Sequence, residues 1–152
     1  MRNIFIILLF CSLSLYAKEQ VTVIADSFEA DEFKKVSYFK GSVHIKKGSD
    51  EIKADNLMIV FGEDNKPIKY EAKGAVSFKV KTESQNFEGL SNQIIYEPLT
   101  KKYIASGDVN MVETIKNQIL KGERISIDRI SGKSKISGSK NKPVKFIFTV
   151  DE

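Results

Sequence analysis

A short motif of the form Gly-x-Val-x-apolar recurs along the chain at constant spacing. It occurs at residues 41–45, 74–78 and 107–111, so that its glycines are 33 residues apart. Gly138 begins a fourth, degenerate copy, as is common for terminal repeats. A period of this length predicts stacked copies of one small unit, each of which buries its apolar face only against its neighbours.

A second sequence element recurs along the chain together with the glycine motif. Runs of alternating apolar and other side chains begin at Ala25, Ala54, Gly89 and Gly122, and each therefore opens with a small residue. A small residue ahead of an alternating run is typical of a strand that leaves a tight corner, because the backbone of the next layer can approach closely there.

Alternation with a period of two dominates the chain. Between Lys69 and Lys81 the apolar side chains point one way and the charged side chains the other, which predicts a strand with one dry and one wet face. Turn-forming residues separate such runs at 47–50, 62–67, 97–101, 131–133 and 139–143. The stretch from Met111 to Lys121 comes closest to a helical period, but Val112, Thr114 and Ile115 favour a strand. We expect an all-β fold of short antiparallel strands, with two sheets leaning together as a jelly roll or an open sandwich.

The N-terminus has the layout of a secretory signal. A basic start that contains Arg2 precedes an apolar run over residues 4–15, and Ala17 is a suitable small residue for cleavage. We therefore expect residues 1–17 to be a signal peptide, cleaved after Ala17, and residues 18–152 to be one exported domain. A retained membrane anchor is the alternative, although the apolar run is shorter than the roughly 20 residues that cross a bilayer. Cleavage would remove Cys11, the only cysteine.

The composition offers little for catalysis or nucleic-acid binding. The net charge is only +4 and the lysines are interspersed with acidic residues, so binding of nucleic acid is not indicated. A single histidine and no mature cysteine exclude ordinary zinc clusters and Cys/His catalysis. His44 alternates with Val43 and Ile45 and is expected to point outward. We expect no enzyme activity, no metal and no cofactor.

The chain resembles the OstA-like family. The resemblance rests on the signal segment, on residues 21–26, on the recurring glycine motif and on residues 89–96 followed by Glu97, and it covers nearly the whole mature chain. It implies a twisted antiparallel β-jelly roll of stacked short strands, open along one side and built from about four 33-residue repeats. It also implies a periplasmic protein whose groove carries the acyl chains of lipopolysaccharide from the inner to the outer membrane.

The resemblance and the alternation together predict the lining of this groove. The lipid-contacting positions of the family correspond here to Val21, Val23, Phe78, Ile94 and Tyr96, whereas Pro98 stands where an apolar side chain is expected. The full predicted lipid-binding set is Val21, Val23, Phe28, Val43, Ile45, Leu57, Ile59, Phe61, Val76, Phe78, Ile94, Tyr96, Val109, Met111, Ile125 and Ile127. For any one of these residues, membership of a filled core is an equally good interpretation.

The ends of the stacked strands are the expected sites of assembly. Neither end carries a proline or an inward charge within its terminal strand, and such edges invite strand addition. The predicted edge residues are Val21, Val23, Val144, Phe146 and Phe148. The resemblance implies head-to-tail self-association and partners of the same fold in the inner and outer membranes. The alternatives are a membrane-anchored component of the same pathway, and an exported structural or adhesive β-protein with a filled core.

Overall fold

The computed structural model describes residues 20–151, which form ten β-strands and no helix. The predicted signal peptide lies outside these residues. The strands are β1 (Val21–Ile24), β2 (Ser27–Asp31), β3 (Val36–Lys47), β4 (Asp50–Phe61), β5 (Pro67–Lys81), β6 (Asn86–Glu97), β7 (Lys102–Glu113), β8 (Gln118–Asp128), β9 (Ser134–Ser137) and β10 (Lys145–Ile147). Across residues 20–151 there is no helix with the length and hydropathy needed to cross a membrane.

All ten strands belong to one antiparallel sheet in which neighbours in sequence are mostly neighbours in space. The order is β1-β3-β4-β5-β6-β7-β8-β10, with β2 also paired to β3 and β9 also paired to β8. The predicted all-β class, the antiparallel pairing and the jelly-roll type of fold are thereby confirmed. The number of repeats stays a prediction.

Each long strand bends near its middle, so the one sheet forms two walls. The strand register shifts at this bend in every pair from β3–β4 to β7–β8. What we call the first wall comprises β2, residues 36–40, 56–61, 67–73, 93–97, 102–106 and 124–128, and β9. The second wall comprises β1, residues 43–47, 50–54, 76–81, 86–91, 109–113 and 118–122, and β10.

The repeating glycines form the corner between the walls. Gly41, Gly74 and Gly107 have φ of 83°, 86° and 79°, a left-handed conformation that favours glycine. At Gly74 an added Cβ would also lie 2.5 Å from an Asp55 carboxylate oxygen on the neighbouring strand. Both the backbone conformation and the close approach therefore explain why the motif begins with glycine.

Two local predictions were wrong. Gly89 does not open a corner, because the bend of β6 falls between Leu90 and Gln93. Its lack of a side chain instead makes room for the ring of Phe78, whose Cζ would lie 2.6 Å from an added Cβ. The predicted strand character of Thr114 and Ile115 was also wrong, because these residues lie in the turn between β7 and β8.

The inward side chains of both walls form one hydrophobic core. It includes Val43 and Val76 from the second wall and Leu57, Ile94 and Ile125 from the first wall, each at most 2 % exposed. The outward faces are polar by comparison, and His44 lies there as predicted, beside the carboxylate of Glu51. The walls thus enclose an apolar interior that extends from one edge of the sheet to the other.

Candidate lipid-binding seam

Continuous rows of apolar side chains line the inner face of each wall. Directly paired residues of an antiparallel sheet lie on the same face, so a row can be followed from strand to strand. The first-wall row is Phe28, Phe39, Leu57, Ala72, Ile94, Ala105, Ile125 and Ile136. The second-wall row is Val23, Ile45, Ile52, Phe78, Gly89, Met111, Leu120 and Phe146. We call the space between the walls the seam.

Nearly all of the predicted lining residues lie in the seam. The buried members are Val43, Ile45, Leu57, Ile59, Val76, Phe78, Ile94, Tyr96, Val109, Met111, Ile125 and Ile127. Val21, Val23 and Phe61 are partly buried against them. Phe28 belongs to the inward row but is 61 % exposed, because β2 is an edge strand and its ring is covered mainly by Phe39, with ring centroids 4.9 Å apart.

The seam is closely packed in this conformation. A cavity lined by Val21, Ile45, Ile52 and the three tyrosines Tyr70, Tyr96 and Tyr103 has a volume of only about 20 Å³. This is close to the space of one water molecule and far below that of an acyl chain. A hydrocarbon guest can therefore occupy this part of the seam only if the walls move apart.

A polar contact that we call the clasp joins the two walls at their free ends, away from the glycine corner. It consists of Asp50 at the start of β4 in the second wall, Tyr103 on β7 in the first wall, and Arg129 just after β8. The Tyr103 hydroxyl donates to Asp50 Oδ2 at 2.7 Å, and Arg129 Nη1 lies 3.0 Å from the same oxygen. The other Asp50 oxygen accepts a hydrogen bond from the backbone N–H of Lys81 at 3.0 Å, so the buried carboxylate is well satisfied.

The environment of Tyr103 keeps it a hydrogen-bond donor. Burial raises the pKa of its hydroxyl far above the ordinary value, and the negative charge of Asp50 raises it further. Tyr103 therefore stays protonated at neutral pH, and its proton remains available to the Asp50 carboxylate.

A second contact between the walls lies beside the clasp. Lys47 Nζ donates to the Tyr96 hydroxyl at 2.9 Å and lies 4.6 Å from the centroid of that ring. Tyr96 in turn stacks on Tyr103 at 4.4 Å, and Tyr70 lies 5.9 Å from Tyr96 on the other side. The three rings form a row along the first wall, and the polar ends of two of them meet side chains of the second wall.

These contacts show that the walls are staggered, which means that each strand of the second wall lies opposite a strand of the first wall three places further along the sheet. Lys47 on β3 reaches Tyr96 on β6, and Asp50 on β4 reaches Tyr103 on β7, so each contact joins strands three places apart in the sheet. The first wall therefore projects at the β2 end and the second wall at the β10 end. Phe28 and Phe146, 61 % and 47 % exposed, lie on the inner faces of these projecting strands.

The outer face of the second wall also carries a concavity, of about 540 Å³. Leu90, Val112 and Ile119 line its floor, and Lys53 and Lys121 are among the charged residues around it. It is larger than the cavity in the seam, but it lies on the solvent side of the sheet.

The described residues do not form a metal centre. Within residues 20–151, no group of three or more His, Cys, Asp or Glu side chains is arranged to hold a metal ion. The buried acids Asp50 and Glu71 have structural partners instead: Asp50 belongs to the clasp, and Glu71 is held by Lys69, Lys73 and Gln93.

Sequence reasoning missed the clasp. The sequence pattern predicts only a turn at residues 47–50, and it indicates no role for Tyr103 or Arg129. One signal was present, because Asp50 has the same parity as the inward residues Ile52 and Ala54 on β4. An acidic side chain at an inward position indicates a buried partner on another strand.

The fold and the seam define a class: a two-walled β-jelly roll with an apolar interior and open edges at both ends. A family model described as LptA/(LptD N-terminal domain) LPS transport protein matches residues 22–133. The chain belongs to this family of lipopolysaccharide transport proteins, as the OstA-like resemblance predicted. Proteins of this family are transport components and not enzymes.

Comparison with solved structures agrees with this assignment at the level of the fold. The crystal structure of LptH from Pseudomonas aeruginosa, described as the LptA-homologous periplasmic component of the conserved lipopolysaccharide transport device, superimposes with a TM-score of 0.76. The match covers 87 % of this chain and 96 % of LptH at 14 % sequence identity. No curated protein sequence gives a significant match.

Proposed function

We propose that this protein is a periplasmic bridge component that carries lipopolysaccharide from the inner to the outer membrane without changing it covalently. The observation that carries the proposal is the seam, because two apolar inner faces run across the whole sheet and end at open edges on both sides. A path for a lipid tail needs this continuity, whereas a protein that only stored one lipid would need a closed cavity.

The energetics of the seam suit a lipid that must keep moving. Each methylene removed from water gains about 0.8 kcal/mol, so acyl chains favour any such interior. Acyl chains that separate the walls also replace apolar contacts between the walls. The net gain in binding free energy at each position is therefore modest. The lining residues predicted above supply this surface, with Phe78 in the second wall and Ile94 in the first wall near its middle.

The open edges support end-to-end assembly. At one end β1 and β2 present unpaired backbone, and at the other end β9 and β10 do the same. Pairing of β10 of one copy with β1 of the next would continue the second wall, and pairing of β9 with β2 would continue the first wall. Val21, Val23, Val144, Phe146 and Phe148 would then lie in or beside the junction. Same-fold partners of the inner and outer membrane would use the same edges.

The proposal includes export and removal of residues 1–17. A mature protein that begins at Lys18 supports a periplasmic bridge component. A mature protein that still begins at Met1 favours the membrane-anchored component of the same pathway. N-terminal sequencing of protein isolated from cells distinguishes them.

A photo-crosslinking amino acid at Ile94 tests lipid transport in the seam. Ile95 provides the matched control, because it is the next residue on β6 and points to the outer face. In cells that make lipopolysaccharide, we expect an adduct at position 94 and little or none at position 95. Equal labelling at both positions would contradict a path between the walls.

The tight packing of the seam favours a second candidate, an exported structural or adhesive β-protein with a dry core. A cavity of about 20 Å³ leaves no room for a lipid unless the walls separate. The same experiment decides between the two, because a permanently filled core yields no lipid adduct at position 94.

A further inference from the structure

The clasp lies at the one side of the molecule where the walls can separate. At the corner, every long strand continues from one wall into the other, so the backbone itself joins them there. At the opposite side the walls end in separate turns, and within residues 20–151 side chains connect them. Asp50 is the first residue after the β3–β4 turn, and Arg129 belongs to the β8–β9 turn. The clasp therefore joins the two walls on the side opposite the glycine corner.

The apolar contacts of the seam cannot by themselves keep lipid out. A hydrocarbon chain offers Phe78 or Ile94 the same kind of surface that the opposite wall offers, so exchanging one for the other has a small free-energy change. A lipid tail cannot replace the partners of Asp50, because a methylene group neither donates nor accepts a hydrogen bond. The specific resistance to opening is therefore concentrated in the polar contacts.

We propose that Asp50, Tyr103 and Arg129 form a lateral gate, and that its opening admits acyl chains into the seam from the side. This rests on the proposed lipid-carrying function and adds the place of access. The Lys47–Tyr96 contact lies directly beside the gate and opens with it. Between opening events the gate keeps the walls closed against water.

The partners of the gate are arranged so that it can open reversibly. Asp50 keeps its hydrogen bond from the backbone of Lys81, which belongs to the same wall, so the carboxylate retains one partner when the walls part. Arg129 is already 24 % exposed and can be hydrated without moving far. The open gate also presents the Arg129 guanidinium, which suits a phosphate of a lipid headgroup.

The substitution Tyr103→Phe tests the gate most directly, because it removes one hydroxyl and keeps the ring. Uptake of a fluorescent long-chain fatty acid is followed by stopped-flow fluorescence. We expect Tyr103→Phe to accelerate uptake about tenfold, since one charge-assisted hydrogen bond between the walls is lost. Tyr38→Phe is the matched control, because Tyr38 also carries a hydroxyl but lies exposed on the outward face of β3, away from the seam and the clasp. We expect uptake by this variant to equal that of the wild type.

A second pair of variants tests the gate without changing a buried side chain of the core. Arg129→Gln removes the charge opposite Asp50 from a turn, where the substitution leaves the core intact. Arg124→Gln is its control, because Arg124 lies on the outward face of β8 and pairs across to Ser106. We expect faster uptake for Arg129→Gln alone. Thermal unfolding of all four variants verifies that each is folded at the assay temperature.

The outcomes separate the gate from the function on which it rests. Faster uptake by the clasp variants and unchanged uptake by their controls supports the gate. Equal rates for all folded variants, or equal acceleration by clasp and control variants, overturns it while leaving lipid binding intact. Failure of the wild-type protein to take up the probe, together with no adduct at position 94 in cells, overturns the proposed function itself.

Discussion

Glu113 illustrates how single residues hold the second wall together. It ends β7, its side chain is fully buried, and its carboxylate accepts hydrogen bonds from the backbone N–H groups of Asn86, Ile115 and Lys116 at 3.1, 3.1 and 2.7 Å. Burial acts to raise its pKa, but the three hydrogen bonds outweigh it, so the pKa of Glu113 lies below the ordinary value. The carboxylate thereby fixes the turn that sequence reasoning interpreted as a strand.

We predict that Glu113→Gln lowers the free energy of unfolding by about 2 kcal/mol at pH 7, the usual size of a lost charge-assisted hydrogen bond. A lowered pKa means that the stabilisation is fully present above the pKa of the unfolded state and is lost as the pH falls through the folded-state pKa. The difference from the wild type should therefore shrink below about pH 5. Urea unfolding at several pH values measures this.

Glu88→Gln is the control for this prediction, because Glu88 is exposed on the outer face of the adjacent strand β6. We expect the free energy of unfolding of Glu88→Gln to stay close to that of the wild type at each of these pH values. If the loss of stability in Glu113→Gln stays constant from pH 7 to pH 3, the Glu113 carboxylate does not stabilise the turn through its charge.

At the scale of the element, the bent strand is the unit from which the protein is built. The recurring glycine predicted a special backbone position, and the structure places Gly41, Gly74 and Gly107 at the corner. What the motif did not reveal is that the same strand passes into a second wall. The residue after each glycine also has positive φ, for example Ala75 at 45°, and no residue type marks that position in the sequence.

Two glycine substitutions separate the causes of this requirement. Gly74→Ala combines a left-handed φ of 86° with a close contact to Asp55, whereas Gly132 has a φ of 73° and no atom within 4 Å of an added Cβ. We predict that Gly132→Ala costs about 1 kcal/mol of stability from the backbone alone. Gly74→Ala should cost clearly more, as measured by thermal unfolding.

A double variant extends this prediction. Asp55→Gly removes the side chain that an alanine at position 74 would meet, so it should recover part of the stability lost in Gly74→Ala. Equal costs for Gly74→Ala and Gly132→Ala would show that the corner tolerates a side chain, and that the close approach to Asp55 is not a constraint.

At the scale of the whole molecule, the periodic pattern predicted which side chains of each strand point inward, but it did not predict the clasp, which occurs only once. Alternation correctly placed residues such as Val76 and Ile94 inside, because burial imposes a period of two on every strand. The inward position of Asp50 indicates a buried partner, but that partner could not be identified from the sequence, because it depends on the stagger between the walls, which brings β4 opposite β7. The exposure of Phe28 follows from its place on an edge strand, and alternation cannot distinguish an edge strand from a central one.

The stagger leads to the prediction about assembly. Phe146 lies on the inner face of β10, is 47 % exposed and stacks on Phe148 with ring centroids 5.3 Å apart, so the end of the second wall presents an apolar surface beside unpaired backbone. We predict concentration-dependent end-to-end oligomers, and we expect Phe146→Asp to shift them toward monomers. Light scattering over a range of protein concentrations measures the shift.

Leu99→Asp is the matched control, because Leu99 is exposed in the turn between the central strands β6 and β7, so the substitution introduces the same charge away from the sheet edges. It should oligomerise like the wild type. If Phe146→Asp and Leu99→Asp behave alike, or if the wild type is a strict monomer at high concentration, β10 is not the joining edge. A selective loss in Phe146→Asp would instead link assembly to the same inner surface that forms the seam, because the aromatic ring that seals a junction between copies would also continue the apolar path across it.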